Sequence, residues 1–107
     1  MAVSPQEIAH AHDLLAGVGP LTTRRMFGGM AFYADGTIFA VLMRDGRLLL
    51  KGQGAMQDRF EALGMVRWTY ARDGKPPTAM PYWHLPDSAS DDADAVAALA
   101  REALGHL

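Results

Sequence analysis

Residues 24 to 36 read RRMFGGMAFYADG and set two arginines beside two glycines. Two uses fit that pairing: a phosphate cradle, because glycine lets a backbone come close to a ligand, or a strand that kinks or bulges at Gly28 and Gly29. A second run, LLLKGQGAMQ at residues 48–57, carries Gly52 and Gly54 from an apolar stretch ending at Lys51 into a helical pattern. That is the context of a dinucleotide fingerprint, and Asp73 stands at about the distance of its acidic partner. Gln57 occupies the third glycine position, however, and Asp73 belongs to an Asp-Gly turn.

Other catalytic chemistry finds little support. His10 and His12 are two apart on a helix and diverge, while His84 and His106 are isolated, so no metal-binding pair forms at helical spacing. Ser4, Ser88 and Ser90 stand at helix starts, where capping accounts for them, and none lies in a G-x-S-x-G elbow. The absence of cysteine removes disulfides, thiolate zinc sites and thiol nucleophiles. These residues imply no cofactor and no catalytic set, with nucleotide or small-ligand binding at Lys51, Gly52 and Gly54 or at Arg24 to Gly29 as the alternative.

The elements that would position these residues follow from periodicity. Ser4, Pro5 and Glu7 form a capped helix start, and Ile8, Ala11, Leu15 and Val18 keep helical spacing behind it. Asp-Gly pairs at Asp35-Gly36, Asp45-Gly46 and Asp73-Gly74 are strong hairpin signals. They predict strands over 25–34, 37–43 and 47–51, then 66–72 and 78–84. Met56, Phe60 and Leu63 mark a helix that Gly64 stops, and a final helix follows SASDDADAV, capped by Ser88 or Ser90 and favoured by its acidic first turn. The expected fold is α+β, a two-layer α/β sandwich in the order helix, three strands, helix, two strands, helix, with a mainly antiparallel five-stranded sheet. At 107 residues the chain supports one core, so residues 1–107 read as one domain.

Two strands carry further information. TIFAVLM is apolar on both faces, with Ile38, Ala40 and Leu42 on one and Phe39, Val41 and Met43 on the other. Either helices divide over the two faces, or a partner covers one, most simply a second copy in a homodimer. Tyr82 and Trp83 alternate across their strand, and Pro81 places that strand at an edge or a bulge, which makes Phe39, Tyr82 and Trp83 candidates for a recognition surface. The net charge of -2 argues against direct nucleic-acid binding. No stretch approaches the about 20 apolar residues of a membrane span, and the expected location is cytoplasmic.

The ordered set T-T-R-R-M-F-G-G at Thr22 to Gly29, then Tyr33, Gly36, Phe39, Ala40, Leu50-Lys51, Phe60, Gly64, Tyr70, Lys75, Tyr82 and Pro86, resembles the amino-terminal domain of the TfoX (Sxy) family. The resemblance covers almost the whole chain, here as a stand-alone domain. It implies a two-layer domain with an antiparallel sheet. It also implies bacterial competence regulation, exercised with a cyclic-AMP receptor-type activator as protein partner and without enzymatic turnover. Its signature falls on Arg24, Met26, Phe27, Gly28 and Gly29. Because MAFYADG continues as a strand and no helix start follows the glycines, the expectation is a bent strand rather than a phosphate site.

Overall fold

The computed structural model describes residues 3–26, 28–71, 73–89 and 91–107. Helix α1 (Pro5–Leu15) runs into a short 3-10 turn and is followed by strands β1 (Thr22–Met26), β2 (Gly29–Ala34), β3 (Thr37–Leu42) and β4 (Leu48–Lys51). Then come α2 (Ala55–Ala62), β5 (Val66–Tyr70), β6 (Thr78–His84), a second 3-10 turn and α3 (Ala93–Leu104). The sheet has six strands in the order β1-β2-β3-β4-β6-β5, with every neighbouring pair antiparallel. This is the expected α+β class.

The strand count and the first strand need correction. What reads as one strand over 25–34 is a hairpin: β1 pairs with β2 from Thr22↔Tyr33 to Met26↔Gly29, with Gly28 in the connection at φ 79°. The chain reverses there instead of bending, and the five-stranded expectation becomes six. Phe27 lies outside the described residues.

The starts of α1 and α3 are set by side-chain caps. Ser4 accepts from the Glu7 backbone N–H at 3.1 Å while Glu7 Oε1 accepts from the Ser4 N–H at 3.0 Å, completing the predicted capping box. At α3 the cap is Asp92, which accepts from the Ala95 N–H at 3.0 Å. Ser88 does not hold that position, and Ser90 lies outside the described residues. Gly64 follows α2 with φ 78°, the left-handed stop that its position predicts.

One side of the sheet receives the helices. Phe32, Ala40, Leu50 and Trp83 stand in register across β2, β3, β4 and β6, beside a second row of Met30, Leu42 and Leu48. These residues form one cluster with Ala11, Leu14 and Leu15 of α1, Met56 and Phe60 of α2, and Val96, Ala100 and Ala103 of α3. Arg101 Nη1 donates to the Gly17 carbonyl at 2.7 Å, and Arg59 Nε meets Glu102 at 3.2 Å, tying the helical layer together. No helix among the described residues is long and apolar enough to cross a membrane.

The doubly apolar strand resolves through a bulge. Phe32 faces Ala40 but Tyr33 faces Ile38, so Phe39 is an extra residue on β3. A bulge turns consecutive side chains to the same side. Phe39 and Ala40 accordingly both enter the helix-side cluster, leaving Ile38 and Val41 on the other face.

Candidate interaction site

The described signature residues, Arg24, Met26, Gly28 and Gly29, lie together on the β1–β2 hairpin. Gly28 turns the chain with a positive φ, and its carbonyl accepts the Val3 N–H at 2.9 Å. An anion cradle instead needs amides converging on one point. Gly29 is buried because a Cβ there would collide with the Leu42 carbonyl oxygen of β3. Gly28 therefore serves the hairpin turn, and Gly29 the close approach of β2 to β3.

Strand β1 carries little burial of its own. Thr22, Thr23, Arg24 and Arg25 are all exposed and Met26 is half-buried, although the residues alternate between the two faces of the sheet. β1 is also terminal in the strand order, so its outer edge has no neighbouring strand among the described residues. A strand of that kind presents unpaired backbone groups to a partner, and charged side chains such as Arg24 and Arg25 restrict what can pair with it.

The face away from the helices is the second surface. Register places Ala31, Val41, Leu49 and His84 in one row, and Lys51 opposite Tyr82 in the next. Ala31 and Leu49 are 0% exposed yet stand outside the helix-side cluster. Trp68 lies with its ring 6.5 Å from Tyr82 and 6.3 Å from Tyr70, both edge-on. Burial, together with nearby Tyr33, pushes the Tyr82 hydroxyl above its usual value. Burial and the charge of Arg47 hold the His84 imidazole below its usual value, with Asp45 acting the other way.

Two residues expected at a recognition surface are core residues. Phe39 and Trp83 are both 0% exposed, Phe39 because of the bulge and Trp83 because it faces α2, its ring 5.5 Å from Phe60. Arg67 closes over Trp83 with its guanidinium carbon 4.7 Å from the ring centroid. Tyr82 remains on the outer face, half-buried. Its strand is interior in the sheet, between β4 and β5. Pro81 is accommodated by the second of its expected settings: Arg67↔Trp83 is followed by Thr69↔Ala79, so β6 bulges across Pro81.

In the Lys51-Gly52-Gln53-Gly54 loop, Gly52 is buried. A Cβ on Gly52 would come within 2.7 Å of the Phe60 ring and 3.2 Å of Trp83, so this glycine admits close aromatic packing. A groove of about 880 Å³ lies elsewhere, between α1, the β3–β4 turn and the start of β5. Leu14, Leu42, Leu48 and Met65 line it beneath His10 and His84, and no signature residue borders it. Among the described residues no group of three or more His, Cys, Asp or Glu gathers as a metal site.

The family model for the TfoX N-terminal domain matches residues 13–107. The chain belongs to that family. The TfoX N-terminal domain described here is also similar to "DNA transformation protein TfoX1" of Aliivibrio fischeri (strain ATCC 700601 / ES114), at 36% identity over 55 residues. The aligned stretch is 51% of this chain and 26% of that protein. The β1–β2 hairpin that marks this TfoX domain in sequence had a readable signal, since two residues containing glycine between strand-like runs are a hairpin pattern. The outer-face cluster of Trp68 and Tyr70 had none, because their proximity to Tyr82 depends on β5 folding to the sheet edge.

Proposed function

We propose that this TfoX domain is a non-enzymatic regulator of competence-type transcription that works by protein contact, with β1 as its docking edge. The observation that carries this reading is a complete outer strand whose residues from Thr22 to Arg25 are exposed on both faces of the sheet. Ordering a strand costs on the order of 1–2 kcal/mol of backbone entropy per residue, and side-chain burial returns almost none of it here. Strand addition by a partner would supply backbone hydrogen bonds along that edge, while Arg24 and Arg25 select an acidic segment. Family resemblance supplies the expected partner, a cyclic-AMP receptor-type activator in the cytoplasm. A second copy is a weaker fit at this edge, since pairing β1 with itself brings the arginines of two chains together.

The test uses Thr23→Glu combined with Arg25→Glu, two exposed positions whose replacement should alter stability by no more than about 0.5 kcal/mol. Competence-gene transcription is measured in a strain lacking the chain and carrying either form, alongside calorimetric titration with the purified activator. A several-fold loss of both signals in the folded variant is expected. Wild-type transcription together with wild-type activator binding would overturn the reading.

A further inference from the structure

All 12 acidic residues lie in helices, turns and loops, whereas the six strands hold Arg24, Arg25, Lys51 and Arg67 and not one carboxylate. The sheet layer is thus cationic within a chain whose net charge is -2. Of these strand residues, Arg25 and Arg67 stand on the helix side, while register places Arg24 and Lys51 on the face away from the helices, where they share the surface with aromatic rings. Tyr33, Tyr82, Trp68 and Tyr70 lie along it from β2 to β5, with Lys51 opposite Tyr82 and Lys75 sharing a hollow of about 480 Å³ with Tyr70. Four strand spacings of about 4.8 Å separate β2 from β5, so the strip is about 19 Å long.

We propose that this strip binds single-stranded nucleic acid, with bases laid against Trp68, Tyr70 and Tyr82 and phosphates near Lys51 and Lys75. Flat aromatic rings serve any base, and a cationic path that tracks the backbone supplies attraction independent of sequence. Tyr70 is 48% exposed, so ring surface is open to a stacking partner. Asp35 and Asp73 occupy turns beyond the strands, leaving the strip itself free of like charge for phosphate. A second copy fits poorly, because face-to-face packing would oppose two carboxylate-free surfaces. The site is separate from the docking edge of β1, and either can fail alone.

The test is fluorescence anisotropy of end-labelled 12-mers of oligothymidylate and oligouridylate, with a duplex of equal length as control. Binding of a single strand is expected, and the comparison of the two 12-mers distinguishes DNA from RNA as the source. Two phosphate contacts give a salt slope of about -1.4, or about a sevenfold loss of affinity from 50 to 200 mM salt. Trp68→Ala should weaken binding by about 5- to 160-fold, with Tyr70→Ala as a second variant should the first not fold. Lys51→Gln with Lys75→Gln should flatten the salt slope. No anisotropy change at about 100 µM protein in low salt, equal affinity for the duplex, or wild-type affinity in the folded aromatic variants would each overturn the assignment. So would loss of a protein contact in Trp68→Ala without any oligonucleotide response, which would make the strip a protein interface.

Discussion

Gly29 and Gly36 show how glycines of one sequence answer different constraints. A Cβ on Gly29 would run into the Leu42 carbonyl oxygen, a backbone atom that moves only with its strand, whereas Gly36 has no atom within 4 Å and is demanded only by its φ of 79°. Gly36→Ala should therefore cost about 1–2 kcal/mol for a left-handed residue. Gly29→Ala should cost more, about 3 kcal/mol or above, because it overpacks against backbone. Urea midpoints of the two variants check the order, and equal losses would contradict the close approach of β2 to β3. Trp83 offers a second contrast, since its indole N–H is buried without an acceptor among the described residues. Trp83→Ala should cost about 3–5 kcal/mol. Trp83→Phe should lose less than half of that, because it keeps a ring against Phe60 while removing a donor whose burial costs about 1–3 kcal/mol. None of these neighbours is visible in sequence: the glycines announce that something is special, and only the packed structure says what.

The elements were legible where local chemistry decides them. The capping box at Ser4 and Glu7, the Asp-Gly turns and the Gly64 stop each depend on residues within one turn of each other, and each forms as the pattern implies. Expectation and structure part where strand pairing decides. Whether 25–34 is one strand or two depends on β1 finding β2, and whether Phe39 faces in or out depends on a bulge fixed by its pairing with β2. The candidate site is legible to the same degree: the hairpin residues stand out in sequence, whereas the pattern that suggests a surface for Phe39 and Trp83 does not hold, since both belong to the core. Strand β1 should be the least protected part of the sheet, because it has one neighbour and little burial on either face. Native-state hydrogen exchange should show its amides opening at lower free energy than those of β3, β4 and β6, whose residues enter the core. Equal protection across all six strands would mean that β1 is held by contacts other than its pairing with β2.

At the scale of the whole molecule, the fold separates acids from strands, a distribution that the net charge does not display. The sheet order was equally hidden, since β6 inserts between β4 and β5 although β5 precedes it in the chain. That insertion brings His84 between Leu49 and Val66 and near the Asp45–Arg47 pair of the β3–β4 turn, where Arg47 Nε meets Asp45 Oδ2 at 2.8 Å. Burial and Arg47 lower the pKa of His84 from its ordinary 6.5, so the folded chain resists a proton that the unfolded chain accepts. In the pH interval between these two values the unfolded state binds more protons, and stability rises with pH. The contribution is fully present above about pH 6.5 and is lost as pH falls through the folded value. Asp45 acts in the same direction at lower pH: burial raises its carboxyl, but the Arg47 backbone N–H and guanidinium more than offset this and leave it below 3.8. Denaturant unfolding at pH 7.5, 6.0 and 5.0 should therefore show stability falling on acidification. His84→Gln should flatten that fall. An unchanged slope in His84→Gln would assign the acid sensitivity to other groups and contradict the placement of His84 beside Arg47.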